Sequence, residues 1–529
     1  MTTAELLARM LAEAGVRWVF GIPSGPVLPL IEALRKSSVE FVLTASETSA
    51  GFMAATVGHL TGLPGVCAST LGPGATNLAT GVGAAWLDRA PLIAITCNVA
   101  TPWLRRRVQM RIDHDALFAP IVKASYSVRA KDAGATLTKA LALAAAEPPG
   151  PAHLDLPEDV AQAEAAGTAP RHARKNPPYA PAPAQSLLAA VLAQSRRPIV
   201  ITGLTFCRAR EPHALLGFIE RQKIPFISTL HAKGFLPESH PLWAGVLGRA
   251  RRSDVQALVR RADLIVAVGF DPVETNYEEW AERIPILHLS TEAAETSPSL
   301  AFAVNAAGDL EGMIAALREI PAAPNDWSAE ELKRHHEELE RKLRPGGGFA
   351  AHHVIDALRK KLPTDGILAY DVGAHTHQIA AQWRTDAPKT CLATNGWSSM
   401  GYGMPAAYAA KLVHPERVVV GVVGDGCFQM TAGELALARR LRLKAPIVVL
   451  NDGWLGLMKI KQEKRGYGLS GVHLGAPVDS PPHYFGVPCR PARNVSEFDA
   501  ALDWALALDG PSVVEAFIDV APYSETVFD

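Results

Sequence analysis

Apolar residues in this chain come in short unbroken runs rather than in strict alternation. Trp18–Phe20, Phe41–Thr44 and Val66–Thr70 lie in the first third of the sequence. PIVITG, PFISTL and ADLIVAVGF follow in the middle, and GILAYDVG, RVVVGVVGDG and APIVVLNDG in the last third. Each run ends at a turn, and stretches with helical periodicity separate them. Continuous Val/Ile/Leu runs alternating with helices describe parallel strands buried on both faces. The opening MTTAELLARMLAEAG is an amphipathic helix, with Thr2 and Glu5 spaced as a capping box. The pattern predicts an α/β protein of three doubly wound, Rossmann-like domains, over 1–165, 185–320 and 350–529. Two linkers separate them. One, about 165–184, is Pro/Ala-rich and extended; the other, about 320–349, carries a charged helix, WSAEELKRHHEELERKL, followed by RPGGG.

Composition narrows the picture. The 529 residues hold 52 Lys and Arg against 53 Asp and Glu, and 48% are apolar. This near-neutral balance argues against a nucleic-acid partner or a polybasic membrane anchor. Six scattered Cys show no paired spacing, which predicts neither a disulfide framework nor a zinc site. With no apolar run of spanning length and no leader-like start, the expected location is the cytoplasm, without membrane contact.

The strongest chemical signal lies between Val418 and Trp454. One apolar strand ends at Gly424-Asp425-Gly426, a helix containing TAGELALARRL follows, and a second strand ends at Asn451-Asp452-Gly453. In a right-handed βαβ unit both strand ends share one sheet edge, so Asp425 and Asp452 can converge. Two carboxylates with backbone carbonyls suit Mg²⁺. Gly426 and the helix start offer free N–H groups to a phosphate beside the metal. Tight turns with no ligand are the plain alternative.

This arrangement, with Glu434 on the intervening helix, resembles the cofactor motif of thiamine-diphosphate-dependent 2-oxo acid decarboxylases and carboligases, nearest in pattern to acetolactate synthases. The resemblance implies that Asp425, Asp452 and the Trp454 carbonyl hold Mg²⁺. It also implies that Gly373, Ala374, His375, Gly424, Gly426 and Cys427 surround the diphosphate of thiamine diphosphate. In Asn395-Gly-Trp-Ser-Ser-Met400-Gly, Met400 would bend the cofactor and the Ser398 carbonyl would accept from its amino group. Glu47, at the start of a small-residue helix, resembles the family's acid on the aminopyrimidine, which promotes loss of the thiazolium C2 proton. Alone, it reads first as a helix-terminal Glu stabilised by the dipole. Gln109 aligns with an active-site Gln of benzaldehyde lyase and acetolactate synthases, and a surface Gln is its alternative. His114 reads as structural. Gly25, Thr70, Leu71, Trp397 and Leu455 are the expected substrate-pocket residues.

The resemblance implies decarboxylation of a 2-oxo acid, pyruvate foremost, and ligation of the acyl unit to a second carbonyl compound. It implies a homodimer with sites at the subunit interface, assembled as a homotetramer. No flavin fingerprint stands in the central region, so FAD is not expected. An aromatic 2-oxo acid decarboxylase or benzaldehyde-lyase-type carboligase remains open, as does a non-catalytic regulatory paralogue. A nicotinamide dehydrogenase is disfavoured because no GxGxxG opens a helix with an acid about 20 residues on. The C-terminal AlaProTyrSerGluThrValPheAsp reads as a surface tail from which Tyr523 or Glu525 could reach substrate.

Overall fold

The computed structural model describes residues 1–165, 185–275, 280–295, 299–475 and 479–527. The first predicted linker lies almost wholly outside these residues. Three sheets account for the strands. In the first, the order is Glu40–Leu43, Trp18–Gly21, Gly65–Ser69, Leu92–Asn98, Pro151–Pro157 and Ser125–Ser127, all parallel. In the second it is Ala301–Ala307, Pro285–Ser290, Leu264–Val268, Pro198–Thr202, Phe226–Ser228 and Trp243–Val246, again all parallel. The third runs Cys391–Leu392, Ile367–Tyr370, Val419–Gly424, Ile447–Asn451, Val513–Phe517, Val487–Ala492 and His483–Tyr484. Only its last pair is antiparallel. Most strands read as apolar runs are central and buried, whereas the run at Phe41–Thr44 forms the edge strand Glu40–Leu43, of which only Val42 is buried. The three-domain α/β architecture expected from the pattern is therefore the one observed.

One apolar core joins the first sheet's helices to the third's. It includes Phe52, Met53 and Leu78 from one side and Tyr402, Met404 and Tyr408 from the other. Helices Glu47–Thr61 and Pro73–Leu87 cross where Gly51 meets Gly81. A Cβ on Gly81 would sit 2.5 Å from the Gly51 Cα, so only glycine allows this approach. Phe52 then meets Tyr402 edge-on at 5.7 Å, across the boundary between the two sheets.

The central sheet is fastened to both. Asp88, from the first sheet's side, accepts from His231 of the central one at 3.2 Å. It also accepts from the Thr394 hydroxyl at 2.6 Å and the Gly396 N–H at 2.7 Å, both beside the third sheet. Lys233 and Glu238 form a fully buried ion pair at 2.8 Å, and Glu238 also accepts from the Thr385 N–H.

Two expectations are corrected. The helix after Gly424 starts at Asp425 itself and splits into Asp425–Thr431 and Glu434–Arg440, with Gly433 in the break facing Ala45. The C-terminal segment is not a surface tail. Tyr523 and Val527 are buried in the third sheet's core, because two large apolar groups repay docking of the short helix Tyr523–Thr526. Among the described residues no helix is long and apolar enough to cross a membrane.

Candidate active site

The third sheet gathers one set of residues. Strands Val419–Gly424 and Ile447–Asn451 pair in parallel, with Gly424 opposite Leu450. Their carboxyl ends therefore share an edge and bring Asp425 and Asp452 together. Asp425 accepts from the Gly426 N–H with Oδ1 and from the Gly453 N–H with Oδ2, both at 2.8 Å. Asp452 accepts from the Trp454 N–H at 2.9 Å. Burial pushes the Asp425 carboxyl up to about 6, despite those backbone donors. Burial, and then the charge of Asp425, pushes Asp452 up to about 7. A buried and a half-buried carboxylate, both raised, with no guanidinium or ammonium among the described residues bonded to either, form a site whose charge a divalent cation neutralises. Among the described residues no three His, Cys, Asp or Glu side chains gather into a metal cluster. The pair thus needs backbone oxygens to complete a coordination shell.

Around it lies a glycine cradle. The His375 ring sits between Gly373 and Gly424: a Cβ on either would come within 2.7 and 3.0 Å of its Cε1. His375 is buried, and burial pushes it down to about 4, so the ring is neutral. Its buried Nε2 has no hydrogen-bond partner. An orphaned polar atom beside two bare glycines fits a polar ligand such as a diphosphate oxygen. Ala374 begins the helix Ala374–Gln382 and lies near Gly456, which in turn faces the Asp452 carboxylate. Cys427 is buried, and its thiol approaches the Val372 carbonyl at 3.2 Å.

Met400 and Leu455 close the cradle. A Cβ on Gly426 would stand 3.2 Å from the Met400 Cε and 2.9 Å from the Leu455 Cδ2. Asp371, fully buried, holds the Met400 turn by accepting from the Gly401 and Gly403 N–H groups, both at 2.9 Å. Ser398 adopts a left-handed φ of 49° in that turn. Trp397 lies elsewhere: its ring rests on Gly83, a residue of the first sheet's helix.

The first sheet gathers a second set. Glu47 begins its helix with Ser46 as N-cap and is buried. The Asn77 amide donates to Glu47 Oε2 at 3.2 Å. A Cβ on Gly74 would sit 3.2 Å from Glu47 Oε1 and 2.8 Å from the Thr70 Cγ2. Thr70 has a buried hydroxyl without a partner, and Leu71 is buried in the turn. His114 holds this turn: its Nε2 accepts from the Gly72 N–H, and its Nδ1 lies 2.8 Å from Asp155. Gln109 is exposed and precedes Met110, whose carbonyl lies against Gly72. Gly25 opens a single 3-10 turn with free space about it.

Within one chain the two sets are not hydrogen-bonded to one another among the described residues. No hydrogen bond among the described residues joins Glu47 to Asp425, Asp452, His375 or Met400. The link that exists is at another point, where Glu434 accepts from the Ala45 N–H at 2.9 Å and the Ser46 N–H at 3.2 Å.

The match to known families follows this division. The profile of the thiamine pyrophosphate enzyme N-terminal TPP-binding domain matches residues 1–117, the central-domain profile 186–317 and the C-terminal TPP-binding profile 371–516. The chain is 30% identical to the acetolactate synthase of Bacillus subtilis (strain 168), over 99% of this chain and 94% of that protein. The chain belongs to the thiamine pyrophosphate enzyme family. Acetolactate synthase isozyme 2 large subunit of Escherichia coli (strain K12) is 29% identical over 98% of this chain and 96% of its own length. A probable acetolactate synthase large subunit of Methanocaldococcus jannaschii is 30% identical over 98% and 92%. This thiamine pyrophosphate enzyme is acetolactate-synthase-like, and thiamine diphosphate is its cofactor. Sequence reasoning missed Asn77 as the partner of Glu47, Asp371 as the clamp of the Met400 turn, and the Asp155–His114 support. Asp371 lies just beyond the apolar strand Ile367–Tyr370, which was the available signal, whereas Asn77 lies within helix Pro73–Leu87 and Asp155 within strand Pro151–Pro157, where no local pattern marks them.

Proposed function

We propose that the protein decarboxylates a 2-oxo acid, with pyruvate as donor, and ligates the acyl unit to a second carbonyl compound. The observation that carries this reading is the division of the machinery. A buried acid with an amide partner stands on one sheet, and a cation-seeking carboxylate pair in a glycine cradle stands on another. Asp425, Asp452 and the Trp454 carbonyl would hold Mg²⁺, and His375 and Gly426 would hold the diphosphate. When bound, thiamine diphosphate supplies a nucleophilic carbon and an electron sink for the pair left as CO₂ departs. Glu47, steadied by Asn77, holds a proton at the pyrimidine ring. Met400 and Leu455 shape the cofactor's seat and keep water from its middle.

A complete site requires Glu47 and the Asp425 cradle to face each other. That no hydrogen bond among the described residues joins them within one chain supports a homodimer in which each subunit lends its first domain to its partner's third, with a homotetramer as the assembled form. Domains over 1–165, 185–320 and 350–529 are the units of this arrangement. The test is purified protein with Mg²⁺, thiamine diphosphate and pyruvate, assayed for CO₂ and for an acyloin product. Production of both is expected, and the absence of both overturns the reading for pyruvate. Glu47→Gln is the control.

A further inference from the structure

The segment 99–113 leaves the carboxyl end of strand Leu92–Asn98 and carries four arginines, 105, 106, 107 and 111, against one aspartate. In a chain of net charge −1 this is a sharp local excess. Asp113 is engaged, capping the next helix at the Ala116 N–H. Arg105, Arg106 and Arg107 are exposed, and among the described residues none of the four arginines forms an ion pair. Arg106 lies over the Trp103 ring at 5.0 Å, and the buried Arg111 Nε has no hydrogen-bond partner. The loop is fixed rather than loose. Asp159 accepts from the Thr101 N–H at 2.9 Å, and the Met110 backbone lies against Gly72, two residues from the Gly74 that touches Glu47.

A second cationic segment follows the carboxylate pair: helix Gly456–Lys464 holds three lysines and one glutamate directly after Asp452 and Trp454. In the composite site proposed above, on which this inference rests, the two segments would form opposite lips.

The charge that these lips serve must survive the reaction. The donor's carboxylate leaves as neutral CO₂, so a cation bonded to it would stabilise the ground state over the transition state and slow the step. A single retained carboxylate is satisfied by one guanidinium fork. Four guanidiniums within seven positions match a group of higher charge. We propose that the arginine loop selects a carbonyl acceptor bearing a phosphate or a second carboxylate, so that cross-ligation to such an acceptor outpaces coupling of two pyruvates.

The experiment supplies pyruvate with each of four acceptors: none added, a neutral aldehyde, a phosphorylated aldehyde, and an aldehyde or 2-oxo acid carrying an additional carboxylate. The readout is the ratio of product formed with charged acceptor to that with neutral acceptor. The expected ratio is about tenfold or more, falling as salt rises. In the triple variant Arg105→Gln, Arg106→Gln, Arg107→Gln the ratio falls toward one. These side chains are exposed, and an unchanged melting temperature confirms folding; Arg106→Lys alone retains most of the preference. The phosphate and dicarboxylate arms identify which charge is read. CO₂ release with a ratio near one, or a variant that keeps the ratio, overturns this inference while leaving the proposed function standing. Absence of CO₂ and of cofactor binding overturns the proposed function first.

Discussion

The two halves of the site solve different problems with the same local device. Both place an acid where a parallel strand gives way to a helix, at Glu47 and at Asp425. Glu47 stands alone with a neutral amide beside it. Asp425 stands with a second carboxylate; burial raises both, and the charge of Asp425 raises Asp452 further. A lone buried acid with an amide partner suits proton handling, whereas a repelling pair suits holding a cation. The difference teaches that the motif's surroundings, not the strand–acid–helix pattern itself, assign the chemistry.

The contrast breaks most sharply by substitution at Glu47. Glu47→Gln lowers kcat for CO₂ release by about 10²–10⁴-fold, while the Mg²⁺ concentration for half-saturation stays within a few-fold. Asp425→Ala does the reverse, abolishing cofactor retention in a dialysis assay. Chelation of Mg²⁺ reproduces that loss, and added Mg²⁺ restores activity to the wild-type protein alone. Gly81→Val attacks the frame that supports the lone acid. Its side chain meets the Gly51 backbone, and the melting transition reports a loss of about 3 kcal/mol or more. Asp452→Asn sharpens the comparison, since it keeps an oxygen donor but removes the repulsion. Mg²⁺ binds more weakly, measured calorimetrically, and the metal-free protein melts a few degrees higher.

The smallest expected effect concerns the joint that holds the halves in register. Burial opposes the His231 charge, but the Asp88 carboxylate overrides it and raises the His231 pKa. Burial likewise opposes the Asp88 charge, and His231 lowers its pKa below the usual carboxylate range. The histidine's contribution is full below its unfolded pKa and is lost as pH rises through the raised folded value. Melting temperature therefore declines modestly from neutral to alkaline pH in the wild type, and the decline flattens in His231→Asn.

The sequence made the central strands legible because burial on both faces writes them as unbroken apolar runs. Two edge strands lacked that signature: Ser125–Ser127 is polar, and Ala301–Ala307 is only half buried and contains Asn305. The Asp425–Asp452 pair was legible because strand ends in one parallel sheet must meet. Glu47 was visible as a helix-starting acid, but its Asn77 partner lies 30 positions away on another helix, and no local period announces a helix crossing. Trp397, expected in the substrate pocket, rests its ring on Gly83, a contact between two sheets that one-dimensional pattern does not encode. The burial of Tyr523 was missed for the same reason: the short terminal segment shows no period, only two apolar residues that find a distant core.

Glu434 carries a consequence for how such a protein can be divided. The loop that delivers Glu47 is tied by two backbone hydrogen bonds to a helix of the same chain's last domain. In the proposed dimer each polypeptide would therefore align, with its own far end, the half-site it offers to another. A gene split between the first and last sheets would have to encode two products that stay bound, or the lent acid would arrive out of register.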